Sequence, residues 1–108
     1  GHSYPMAGVL PGKCFDTGHL VRFGYIELEE SSGYFMSHGS SIRAHEFHYY
    51  DSTDYGQEWT ARKPLSSRHW SCMHKQGNLL AGFPHLYYAS DPGFAAEWVQ
   101  RCRQWRKE

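Results

Sequence analysis

One stretch, Gly77 to Pro92 (GNLLAGFPHLYYASDP), constrains this chain most. The apolar run Leu79–Phe83 has the composition of a buried strand, and it delivers His85 just past its end. Two aromatics and a helix-start signal follow at once. Asp91 can accept backbone N–H bonds as an N-cap, and Pro92 suits the first helical position because its missing donor costs nothing there. Beyond it, Phe94, Trp98, Cys102 and Trp105 recur at steps of four, four and three, with Ala95 and Val99 beside them. That spacing predicts one apolar helical face. Burial of Phe94, Trp98 and Val99 would contribute roughly 1.5–3 kcal/mol each. Arg103, Arg106 and Lys107 fall in the last turns, where positive charge complements the helix dipole.

Upstream, the pattern is that of strands. Met6–Leu10 is apolar and closed by Pro11-Gly12, as a strand stopped by a turn. Between Leu20 and Leu28, Ile26 and Leu28 alternate with Glu27 and Glu29, as a half-buried strand requires. Ser31-Ser32-Gly33 reads as a turn, Tyr34–Met36 as a short partner strand, and Ser37–Ser41 as a connection. Ile42–Tyr50 is strand-like and rich in aromatics, and Gln57–Arg62 is a weaker strand. Lys63–Gln76 is polar and His-rich and reads mainly as loop, while Leu79–Tyr88 as a whole carries the strongest strand signal.

Composition limits the function classes. At 108 residues the chain is at most one small domain. Eleven Lys and Arg balance eleven Asp and Glu, which removes the usual electrostatic case for nucleic-acid binding. The three cysteines have no CxxC spacing, and an odd count fits free thiols in a reducing compartment. No apolar run approaches the roughly 18 residues that a membrane span needs. A soluble, cytoplasmic chain is the expectation.

Histidines are the candidate chemical groups. A histidine beyond a strand of an open α/β sheet stands where such sheets place catalytic groups, and it can relay a thiol's proton. None of the cysteines is set up as its partner by position. Cys102 lies on the apolar helix face, Cys14 follows Pro-Gly-Lys in a turn, and Cys72 sits in a polar segment. In AHEFHYY (Ala44–Tyr50), His45 and His48 lie three apart, so on a strand they point to opposite sides. Glu46 and His48 share one side, and His45, Phe47 and Tyr49 the other. His69, Cys72 and His74 are near in sequence but lack structural-zinc spacing, and no metal site is assigned.

AHEFHYY resembles the GHEFHY motif of the cobyrinate a,c-diamide synthases, with Ala44 in place of the usual glycine. YPMAGVLPG (Tyr4–Gly12) resembles that family's YPMVGVLPG, FGYIELEE (Phe23–Glu30) its LGY-x-E strand, and Gly77–Pro92 the end of its glutamine amidotransferase domain. Taken in order, these features run from Tyr4 to about Cys102. The departure lies between Asp51 and Gln76, around HWSCMHKQ. The resemblance implies the C-terminal portion (1–108) of a flavodoxin-like, α/β class I glutamine amidotransferase domain: a strand-rich fragment with one C-terminal helix. It implies His85 as the base that activates a cysteine, with Glu46 and His48 supporting it nearby. No cofactor is expected in the fragment itself. ATP and Mg²⁺ would serve the parent enzyme, which would amidate the a and c carboxylates of cobyrinate with ammonia from glutamine. Neither a Gly-flanked cysteine elbow before His85 nor a GxxxxGK[ST] loop occurs in this chain. The upstream part of the same enzyme is thus an implied partner, and the fragment alone is expected to be inactive and to self-associate through an open sheet edge or face. Within the family, hydrogenobyrinate or a nickel-sirohydrochlorin would be alternative substrates. Two readings from other classes stand beside this one: a small non-catalytic His- and aromatic-rich module that binds a ligand or a metal, and a structural interaction domain.

Overall fold

A computed structural model describes residues 2–36 and 40–107. In chain order it contains β1 (Cys14–Asp16), β2 (Arg22–Glu30), β3 (Ser41–His48), β4 (Tyr50–Ser52), β5 (Trp59–Arg62), β6 (His69–Cys72), β7 (His74–Gln76), β8 (Leu79–Ala81) and β9 (His85–Tyr87). A 3₁₀ turn (Tyr88–Ser90) then leads into helix α1 (Pro92–Lys107). The strand-rich α/β character with one C-terminal helix agrees with the sequence reading.

The main sheet has the order β6-β5-β2-β3-β9, and every neighbouring pair is antiparallel. Two small two-stranded sheets, β1-β4 and β7-β8, flank it. On β2, Ile26 and Leu28 point into the core while Phe23, Tyr25 and Glu29 point out. On β3, Ile42, Ala44 and Glu46 are buried while Arg43, His45 and Phe47 are exposed. Period-two alternation has therefore set both strands' orientation. Trp59 and Ala61 of β5, with Cys72 of β6, complete the buried layer.

Glu30 ties the core to the segment after β2. Its Oε1 accepts the Phe35 and Met36 N–H groups at 2.5 and 2.9 Å, and its Oε2 accepts Trp59 Nε1–H at 3.1 Å. Tyr34–Met36 is consequently a buried bend and not the expected partner strand. Its backbone donors are filled by side chains, Tyr34 N–H by the Ser32 hydroxyl at 3.3 Å and the other two by the Glu30 carboxylate, so no ladder is needed there.

Three other segments differ from expectation. Met6–Leu10 forms no strand and is exposed, because Gly8 turns the backbone to φ +73° and no neighbouring strand pairs with it. The region 63–76 contains β6 and β7; its polar residues fill the solvent side of an edge strand whose other side carries Trp70 and Cys72. Leu79–Tyr88 is two strands in two sheets, split at Gly82-Phe83-Pro84. There the chain crosses Met73 so closely that a Cβ on Gly82 would lie 2.4 Å from the Met73 sulfur. Gly56, at φ +83°, also bridges Met73, and a Cβ on it would meet the Met73 carbonyl oxygen at 2.1 Å. At Gly56 the obstructing atoms are backbone, so only glycine fits there, whereas a side chain at Gly82 would have to displace the Met73 thioether.

Helix α1 is anchored mainly by its first turn. Phe94 is buried against Trp59, edge-on at 5.7 Å, and beside Phe35 at 5.9 Å. Asp91 caps the helix with its carbonyl, which accepts the Phe94 N–H at 3.0 Å, while its Oδ2 is buried without a partner. The rest of the predicted apolar face is not buried: Trp98, Val99 and Cys102 are exposed, and Trp105 is 64% exposed. Arg101 steadies the middle of the helix by stacking on Tyr34 at 3.4 Å, donating to the Tyr34 carbonyl and pairing with Glu97 at 3.0 Å. With one helix on one face, the molecule is flat, 44 × 39 × 20 Å. Its radius of gyration of 15.0 Å exceeds the about 13 Å of a compact chain this long. The opposite sheet face, bearing Phe23, Tyr25, Phe47 and Tyr87, is open to solvent.

Candidate functional site

His85 follows β8 as the apolar run implies, but it also opens β9. Its strand neighbours run antiparallel, so its position is not that of a group beyond the carboxyl end of a parallel sheet. It stands directly opposite His45 of β3, on the exposed face. The two rings are 4.7 Å apart between centroids, with their planes at 71°. On its inner side His85 borders a cavity of about 620 Å³ between the β8–β9 crossing and α1, lined also by Leu80, Pro84, Phe94 and Trp98. His45 was legible in the sequence only as sharing a side with Phe47 and Tyr49. Strand pairing alone makes it the neighbour of His85.

Glu46 and His48 are brought together on the other face. His48 Nε2 lies 2.8 Å from Glu46 Oε2, and Nδ1 lies 2.6 Å from the Tyr50 carbonyl oxygen. Both ring nitrogens thus face protein oxygens. Phe83 stacks flat on the ring at 4.0 Å. Glu46 is 2% exposed, and its Oε1 is buried with no partner. Arg22 lies between the rings of Tyr55 and Trp70, at 4.4 and 4.6 Å. The sheet separates this cluster from His85: successive residues on a strand face opposite ways, and Glu46 adjoins His45 in the chain. Direct contact between the expected supporting pair and His85 is therefore absent.

Two acidic groups beside this cluster are shifted. Burial, then the Glu46 charge, pushes the Cys72 thiol from 9.0 to about 12, with Arg22 opposing. A hydrogen bond to Asp51, then burial and the Asp51 charge, raises Tyr55 as well, again with Arg22 opposing. Cys72 is thus a poor nucleophile. We expect Cys14 and Cys102, both exposed, to react with a thiol reagent in the folded chain, and Cys72 only after unfolding. The sign of the pH effect follows. Below pH 9 the thiol is protonated in both states and stabilisation is complete. Between pH 9 and about 12 the unfolded state ionises first, removing about 1.4 kcal/mol per pH unit. Denaturant unfolding followed across that range should show the loss, reduced in Cys72→Ala.

The other histidine cluster does not assemble. His69 Nδ1 lies 3.1 Å from the Ser67 carbonyl oxygen and His74 Nε2 3.1 Å from that of Asp54. No group of three or more His, Cys, Asp or Glu converges on a metal position among the described residues. His38 lies outside the described residues. Among the described residues, no helix is long and apolar enough to cross a membrane.

No known family profile matches the chain, and no solved structure matches it. Curated proteins do. The cobyrinate a,c-diamide synthase of Priestia megaterium is 28% identical over 109 residues, which covers 97% of this chain and 23% of that protein. That of Salmonella typhimurium is 30% identical, covering 96% of this chain and 24% of the relative. That of Herminiimonas arsenicoxydans is 31% identical, covering 89% and 20%. The chain spans about a quarter of the length of the curated relatives it matches. Along nearly its whole length, therefore, this chain is a relative of one segment of the cobyrinate a,c-diamide synthase family.

Proposed function

We propose that this chain is the C-terminal portion of the glutamine amidotransferase domain of a cytoplasmic, ATP-dependent amidoligase of cobalamin biosynthesis. The observation that carries this reading is the match to cobyrinate a,c-diamide synthases across 94–97% of the chain. The flavodoxin-like architecture belongs to the proposed complete domain, of which this antiparallel sheet and α1 would be one part.

On this reading His85 is the general base. It would take the proton of a cysteine thiol contributed by another part of the enzyme, and the thiolate would attack the side-chain amide carbon of glutamine. As the C–N bond breaks, the imidazolium would return the proton to the departing nitrogen, releasing ammonia and leaving a thioester that water hydrolyses to glutamate. Ammonia would then displace phosphate from the a and c carboxylates of cobyrinate, activated by ATP with Mg²⁺. No residue of this chain is assigned to ATP or Mg²⁺. The exposure of His85 supports its role, since a base needs access to a partner from elsewhere. Glu46 and His48 would act as positioning residues through β3: their pair fixes the strand that carries His45 against His85. The open face around Phe23, Tyr25 and Phe47 would receive the rest of the enzyme, or a second copy when the chain is isolated.

The complete enzyme, given cobyrinate, ATP, Mg²⁺ and glutamine, is expected to form the a,c-diamide, read by mass spectrometry. The isolated chain is expected to release no ammonia from glutamine. A complete enzyme that leaves cobyrinate unamidated, with glutamine or with ammonia, would overturn the proposal.

A further inference from the structure

The His45–His85 pair has a second capacity that is independent of proton transfer. Among the described residues, the rings of His19, His48, His69 and His74 each have at least one nitrogen within 3.1 Å of a protein oxygen. No such bond engages His45 or His85, and both rings are exposed. They occupy directly opposed positions on β3 and β9, so the sheet fixes their spacing.

That spacing is within reach of a chelate. Imidazole nitrogen binds zinc at about 2.0–2.1 Å, which puts the ring centre about 3.2 Å from the ion. Two such rings at a ligand angle between about 90° and 109° have centres about 4.5–5.2 Å apart. The observed separation is 4.7 Å in an edge-to-face contact, and both exposed side chains are free to turn one nitrogen each toward a shared ion. The sheet fixes the two backbone positions, so the first nitrogen to bind raises the effective concentration of the second.

We propose that His45 and His85 together bind a divalent transition-metal ion that favours imidazole, such as Zn²⁺, Ni²⁺ or Cu²⁺, through one nitrogen each. Hard cations such as Mg²⁺ and Ca²⁺ prefer oxygen ligands and are poor candidates for a pair of imidazoles. No third protein ligand converges among the described residues, so water fills the remaining positions and the site stays open to an external ligand. Arg43, on the same face two residues before His45, opposes cation binding, while Glu27, its cross-strand partner, offsets that charge. Binding does not depend on the amidotransferase reading. Only its consequence does: an ion on His85 would occupy a nitrogen needed for proton transfer, so metal and glutamine hydrolysis would exclude one another.

The test is a ZnCl₂ titration of the full chain, followed through the ring C–H resonances of its eight histidines. His45 and His85 should respond together and before the others. His45→Ala should weaken zinc binding at His85 about 10-fold or more, while His69→Ala leaves it unchanged. His45→Gln, closer in size and also unable to chelate as imidazole does, should reproduce the alanine result with an unchanged circular dichroism spectrum. Response of His85 within threefold of the wild type in both variants would overturn the proposal, as would saturation of other histidines first. The readout is binding, so a failed amidotransferase assay would leave it standing.

Discussion

In the complete enzyme, His85→Ala is expected to lower glutamine-dependent amidation by about 10²–10⁴-fold, the usual contribution of a positioned general base. Amidation driven by added ammonium salts should stay within about threefold of the wild type, because free ammonia bypasses the thiol chemistry. His85 is exposed at the first position of a three-residue edge strand, so its truncation removes no core contact. The split between nitrogen sources therefore reports chemistry and not folding. Initial rates with each source, measured on the same preparation, make the comparison. Retained glutamine use would end the assignment of His85 as the base. A parallel loss with both sources would instead point to damage at the interface with the rest of the enzyme.

Trp59→Ala is expected to destabilise the chain by about 3–5 kcal/mol, the range for truncating a buried aromatic. Trp59 is fully buried beneath the sheet, and its ring meets the edge of Phe94, the residue that anchors α1. Its Nε1–H also donates to Glu30, whose other oxygen holds the Phe35–Met36 bend. Removing it opens a cavity, weakens the helix attachment and strips a part-buried carboxylate of one donor. A domain's total stability is about 5–15 kcal/mol, so much of it would be lost. Trp59→Phe, which keeps a ring but not the donor, should cost clearly less. Urea unfolding monitored by circular dichroism measures both, and a Trp59→Ala change below about 1 kcal/mol would contradict this account of the core.

The elements legible in the sequence have local causes. Ile26 and Leu28 alternate with charged neighbours, and a strand has only two sides on which to sort them. Pro92 starts α1 for reasons contained in its own ring. The structure departs from the sequence expectation where a neighbour decides. β6 is an edge strand, so its polar side conceals the Trp70–Cys72 alternation. Tyr34–Met36 has the composition of a strand, yet a carboxylate five or six residues away fills the Phe35 and Met36 donors. The apolar stripe of α1 is real, but only its first turn is fully covered, which leaves Trp98 partly and Trp105 largely in solvent.

The candidate site divides along the same line. His85 after an apolar run, and Glu46 with His48 on one side of a strand, follow from short-range spacing, which residues two apart cannot escape. The opposition of His45 to His85 joins residues forty positions apart, and it depends on the antiparallel register of β3 and β9. The placement of Glu46 and His48 on the far side of the sheet depends on which face the core occupies. Spacing fixes which side chains share a strand face, whereas pairing and core position fix what each face meets, and those belong to the assembled sheet.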